Sequence, residues 1–122
     1  MSNKTLVTVF SIVLIAVGLL GFVNNPVLGL FEVNLTHNLV HLLSGVLGFV
    51  LLMQSEAGAI LFGKIMTVVY GLVTVLGFLL IPAGGLLLGL VQMNSLDHGL
   101  HLLLTVVFAY IGFINRPTVA KA

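Results

Sequence analysis

The sequence predicts an all-α protein, a four-helix transmembrane bundle built from two tandem helical-hairpin repeats. Three observations predict it. The first is composition: the chain is 60% hydrophobic and 6% charged, with a mean hydropathy of +1.31. A soluble domain carries about 25% charged residues. The few charged side chains here cannot cover the surface of a water-soluble fold, and the apolar content excludes a disordered chain. The second is four apolar stretches of near-spanning length. The third is that the chain overlays itself when shifted by sixty residues.

The stretches cover residues 6–23, 35–53, 59–81 and 96–114. Each approaches the roughly 20 residues that cross about 30 Å of hydrocarbon as a helix. A membrane strand would alternate apolar and polar residues, and these runs do not. The breaks carry turn chemistry. Asn24, Asn25 and Pro26 end the first stretch; Gln54, Ser55, Glu56 and Gly58 separate the second from the third; Pro82, Gly84 and Gly85 end the third; Arg116 and Pro117 close the fourth. Segments 27–33 and 86–93 are apolar but too short to span, and are expected as interfacial or partly re-entrant pieces packed on the bundle. Lys4 before an apolar run, with small residues at 16–18, has the layout of a signal peptide. The first stretch nevertheless matches the third in the shifted alignment, so it is expected to stay in the mature protein.

In that alignment Lys4 falls on Lys64, Val9 on Val69, Val13 on Val73 and Leu19-Leu20 on Leu79-Leu80. Leu28-Gly29-Leu30 falls on Leu88-Gly89-Leu90, Asn34 on Asn94, and His41-Leu42-Leu43 on His101-Leu102-Leu103. The Lys, Gly, Asn and His matches carry the argument, because leucine matches leucine by chance in such a chain. One transmembrane domain over residues 1–122 is expected, with repeat 1 at about 4–56 and repeat 2 at about 64–116. Two spans per unit give parallel repeats about an axis along the membrane normal. Both termini and the middle loop then share one side, with Lys4, Lys64, Arg116 and Lys121. The other side holds Glu32 and Asp97 and no lysine or arginine. Basic residues favour the cytoplasm, which puts both termini there.

The histidines all sit in the first turns of the second and fourth spans. One turn reads Asn34-Leu35-Thr36-His37-Asn38-Leu39-Val40-His41, the other Asn94-Ser95-Leu96-Asp97-His98-Gly99-Leu100-His101. Residues four apart share a helix face. His37 and His41 therefore point one way, as do Asp97 and His101, and a two-fold turns both faces to the bundle centre. His41 and His101 lie about 10 Å deeper than their asparagines at 1.5 Å per residue, where an unpartnered polar group is costly. Stripes of small residues continue below them: Ser44 and Gly48; Thr105, Ala109 and Gly112; Thr8, Ser11 and Gly18; Gly63, Thr67, Gly71 and Thr74. These stripes are expected to form the core, with Leu, Val, Ile and Phe facing lipid. Glu32 is expected as a solvated loop residue, Tyr110 as an interfacial anchor, and Tyr70 as a core hydroxyl.

The pattern Asn34-x-x-His37-Asn38-x-x-His41-Leu-Leu-Ser-Gly45, followed by Asn94-x-x-Asp97-x-x-x-His101-Leu, resembles domain-of-unknown-function family 4383, small four-helix bacterial membrane proteins. The resemblance covers nearly the whole chain. It implies a multi-pass protein of a bacterial inner (cell) membrane and supplies no activity.

Several functions fit the polar centre. Asn34 and Asn94 suit helix N-caps, the second with Asp97 in a capping-box position. His37, His41, Asp97 and His101 suit a satisfied hydrogen-bond network locking the hairpins together. The same four supply three nitrogens and one oxygen for zinc, copper, nickel or iron, with Asn38 or His98 as supporting partners. His41 and His101 at equal depth also suit bis-histidine haem or another tetrapyrrole. Proton relay lacks a polar path through the basic half, and a metal-assisted hydrolase lacks visible oxyanion donors, so catalysis is the least supported class. The absence of cysteine excludes thiolate chemistry, and the net charge of +1 gives no footprint for nucleic acid. The expectation is a structural or accessory subunit whose partners are lipid, other transmembrane subunits or itself. Metal or tetrapyrrole binding is the alternative.

Overall fold

The computed structural model describes residues 1–52 and 54–116; Met53, Pro117 and Lys121, used in the boundary and charge arguments, lie outside the described residues. Four helices are long and apolar enough to cross a membrane: Asn3–Val23, Leu35–Leu52, Glu56–Leu80 and Ser95–Ile114. Helix α1 (Asn3–Val23) starts where Ser2 Oγ accepts from Thr5 N at 3.1 Å. Helix α2 (Leu35–Val46) runs on as a π-helical turn, Leu47–Leu52. Helix α3 (Glu56–Leu80) is capped by Ser55, whose hydroxyl accepts from Gly58 N at 2.9 Å. Helix α4 (Ser95–Ala109) also ends in a π-helical turn, Tyr110–Ile114.

Helix α1 packs chiefly on α2 and α3 chiefly on α4. Glycine makes both contacts possible. A methyl on Gly18 would lie 2.9 Å from Leu42 N, and one on Gly63 would lie 2.7 Å from Gly112 N. The expected small-residue stripes are only part of the interior. Ser11, Ser44, Thr74 and several glycines are buried, but Phe62, Met66, Tyr70, Leu104, Phe108 and Ile111 share the core with Val7 and Leu14. Small residues sit where two backbones touch within a hairpin; the wider gap between hairpins needs volume, and aromatic rings fill it. Phe10 of α1 meets Phe108 of α4 edge to face at 6.3 Å and 66°. The outer faces of all four helices expose Leu, Val, Ile and Phe.

Segment 86–93, expected as an interfacial or re-entrant piece, belongs to a small antiparallel hairpin. Strand β1 (Gly84–Leu87) pairs with β2 (Val91–Asn94), with Gly85 opposite Met93. Gly84 and Gly85 adopt φ of 106° and 132°, open to residues without a side chain. Segment 27–33 closes in the same way through a bridge between Val27 and Phe31. There the missing backbone partner is replaced by a side chain: Asn25 Nδ2 donates to the Val33 carbonyl at 3.0 Å, and Val33 N donates to Asn25 Oδ1 at 3.1 Å. Leu28 and Leu88 turn the two tips with φ of 54° and 52°. Val27, Val33, Leu87 and Met93 are buried beneath the tips.

The opposite end is tied by a cluster that sequence reasoning did not single out. Asn3 is fully buried. Its Nδ2 donates to the Asn115 carbonyl at 2.9 Å, Asn115 Nδ2 donates to Asn3 Oδ1 at 2.9 Å, and Asn3 N donates to Glu56 Oε1 at 3.2 Å. The starts of α1 and α3 and the end of α4 therefore meet.

Candidate functional site

The site forms where the loops return to start α2 and α4. Asn34 Oδ1 accepts from His37 N at 3.0 Å, and Asn94 Oδ1 accepts from Asp97 N at 3.0 Å. Asp97 Oδ2 accepts from Asn94 N at 2.8 Å, completing a capping box. Each cap also reaches across the molecule. Asn34 Nδ2 donates to the Leu90 carbonyl at 3.0 Å, and Asn94 Nδ2 donates to the Leu30 carbonyl at 2.7 Å. Glu32, expected in solvent, is half-buried and accepts from Gln92 Nε2 at 2.9 Å. The crossed loops bring this pair together, so the acid has a protein partner in place of bulk water.

Below this clasp three imidazoles meet. The His37 and His41 ring centroids are 4.4 Å apart, those of His37 and His101 5.5 Å, and those of His41 and His101 6.1 Å. One ligand atom from each lies within 4.8 Å of the other two. All three side chains are at most 2% exposed. His37 Nδ1 lies 2.6 Å from the Gln92 carbonyl. A carbonyl only accepts, so Nδ1 carries the proton and Nε2 keeps its lone pair. A backbone carbonyl sets the tautomer of metal-bound histidines in the same way. Gln92 escaped the sequence reading because a backbone carbonyl leaves no trace in residue type.

Among the described residues, buried side-chain atoms without a hydrogen-bond partner include His37 Nε2, His41 Nδ1, His41 Nε2 and His101 Nδ1. No protein group among the described residues bonds these four nitrogens. Each such atom costs about 1–3 kcal/mol in a buried site, so the concentration here points to a missing partner. The other candidate residues lie apart. Asp97 is buried but outside the three-histidine group; one of its oxygens serves the cap and Oδ1 has no partner. His98 donates from Nε2 to the Ile81 carbonyl at 2.7 Å and packs on Phe78 and Gly77. Asn38 packs against Gly21 of α1.

The three imidazoles line a cavity of about 50 Å³ together with Tyr70, four valines and Met93. Cofactor-sized pockets are about 300–1,000 Å³. A macrocycle between His41 and His101 would also have to pass through His37, which lies 4.4 and 5.5 Å from their centroids. The site does not fit a tetrapyrrole. Three imidazoles do suit zinc, copper or iron. Ligand nitrogens of tetrahedral zinc lie about 3.3 Å apart for bonds of about 2.0 Å, so small side-chain rotations would close the 4.8 Å spread.

A family model described as Domain of unknown function (DUF4383) matches residues 4–114. The chain belongs to that family. The match takes in both crossed loops and all three clustered histidines of this DUF4383 chain. No curated protein and no solved structure matches.

Proposed function

We propose that this DUF4383 chain is a multi-pass membrane protein that holds one transition-metal ion on His37, His41 and His101. The observation that carries this reading is that His37, His41 and His101 each offer one ring nitrogen within 4.8 Å of the other two, and that each ring has a buried nitrogen without a hydrogen-bond partner. The Gln92 carbonyl supports it by leaving His37 Nε2 free to ligate. Asp97 stays outside the donor set, because it is not among the side chains whose ligand atoms lie within 4.8 Å of one another, and its Oδ2 caps α4.

Two tandem hairpin copies account for the site. The residue pairs 28 and 88, 34 and 94, and 32 and 92 take matching or reciprocal places, as a two-fold along the membrane normal requires. The end holding Lys4, Lys64 and Arg116 faces the cytoplasm and the metal lies in the exterior half of a cell membrane. With apolar outer faces on every helix, its partners are lipid, other transmembrane subunits or a second copy, and it serves as an accessory component.

Elemental analysis of protein purified in mild detergent tests the central reading. We expect one metal per chain, a lower melting temperature after chelation, loss of metal in H37A, H41A and H101A, and retention in D97N. Metal-free protein whose melting ignores both chelator and added zinc or copper would sink it.

A further inference from the structure

At the end opposite the histidines, two cations converge on one turn of backbone. The stem of Lys64 lies against Gly112, where an added methyl would sit 3.0 Å from Lys64 Cγ. Its Nζ stands 5.7 Å from the centroid of the Phe113 ring. Arg116 Nη2 donates to the Gly112 carbonyl at 2.9 Å, and Nη1 donates to the Asn115 carbonyl at 3.0 Å. Both side chains are exposed. Among the described residues neither forms an ion pair. Glu56, the acid at this end, accepts from Asn3 N instead.

Helix direction brings the two charges toward one level. Side chains lean toward the start of their helix, and α3 starts at this end. Lys64 is about 12 Å along α3 at 1.5 Å per residue, so its stem runs over apolar surface and carries Nζ back toward Arg116. The two carbonyls leave three of the five guanidinium N–H groups of Arg116 free. Leu61 and Val68, on the Lys64 face of α3, and Phe113 and Ile114 before Arg116 are all exposed. A cation beside such a surface is costly without a counter-charge. A ligand that brings both an anion and acyl chains answers both features. We propose that Lys64 and Arg116 bind the phosphate of one anionic phospholipid, whose chains cover Leu61, Val68 and Phe113. In the sixty-residue alignment Lys64 falls on Lys4, but Arg116 falls on Glu56, so the first half of the chain lacks the pair. The inference rests on the membrane reading and is independent of the metal.

Native mass spectrometry of the full chain in mild detergent, titrated with phosphatidylglycerol or phosphatidylcholine, tests the site. One phosphatidylglycerol is expected to bind ahead of phosphatidylcholine. K64Q and R116Q should each weaken that first lipid about fivefold. K64R keeps the charge and should bind like the parent. K4Q removes the same charge from the same end but leaves the pair intact, and should also bind like the parent. Circular dichroism checks that each variant keeps its helices. Equal binding of the two lipids, parent-like binding by K64Q or R116Q, or equal weakening by K4Q would overturn the inference and leave the membrane reading standing. Displacement of phosphatidylglycerol by an equal concentration of inorganic phosphate would reassign the site to the free anion and overturn the lipid. Recovery of the chain in the aqueous fraction without detergent would overturn the membrane reading and this site together.

Discussion

Asn34 and Asn94 each perform two tasks with one amide. The oxygen caps a helix and the nitrogen holds the opposite loop. Replacing either by alanine should cost about 1 kcal/mol for the cap and about 1 kcal/mol for the cross-loop bond. N34D separates the tasks, because aspartate keeps the acceptor and lacks the donor to Leu90. Its loss in unfolding experiments in detergent should fall between those of wild type and N34A. An N34D loss equal to that of N34A would mean that the cap contributes nothing. At this scale the residue types of the site were legible: a polar residue in an apolar run stands out, so His37, His41 and His101 could be named from sequence. Which imidazoles meet, and that Asp97 stays with its cap, depended on side-chain directions that spacing leaves open.

Helix by helix, glycines divide into those the packing needs and those it does not. Gly112 meets the backbone of α3: an added methyl would lie 2.7 Å from Lys64 N and 2.9 Å from Gly63 C. Backbone cannot step aside as a side chain can, so G112A should separate α3 from the end of α4 and lower stability by about 1–3 kcal/mol. Gly99 of α4 has nothing within 4 Å of its would-be methyl. G99A should therefore stabilise by up to about 1 kcal/mol through helix propensity alone. Thermal unfolding of the two variants in one detergent checks both signs; stabilisation by G112A would contradict the close approach. The helices themselves were legible in hydropathy, and their ends in turn residues. The β-hairpin was not, because Gly84 and Gly85 signal a break without saying which backbone they pair with. The replacement of that pairing by Asn25 in the first loop leaves even less trace.

For the molecule as a whole, the clasp of Asn3, Glu56 and Asn115 fixes one end and the crossed loops fix the other. The proposed orientation can be read by labelling, since the chain has no cysteine of its own. With an impermeant maleimide on intact cells, L88C at the exposed loop tip should react, and Q54C should react only after permeabilisation. The reverse pattern would turn the molecule over and place the histidines in the cytoplasmic half.

The apolar composition and the order of apolar residues along the chain together determined that four apolar helices form. A chain this poor in charge cannot be solvated by water, and in hydrocarbon a helix satisfies its own backbone within one segment. That rule is local, so it can be read along the chain. Tertiary structure decided the rest: the loop carbonyls that receive each asparagine, the carbonyl that orients His37, and the gathering of three rings that each keep an unpartnered nitrogen. Those are bonds between residues more than fifty positions apart, and no local pattern of side chains encodes them.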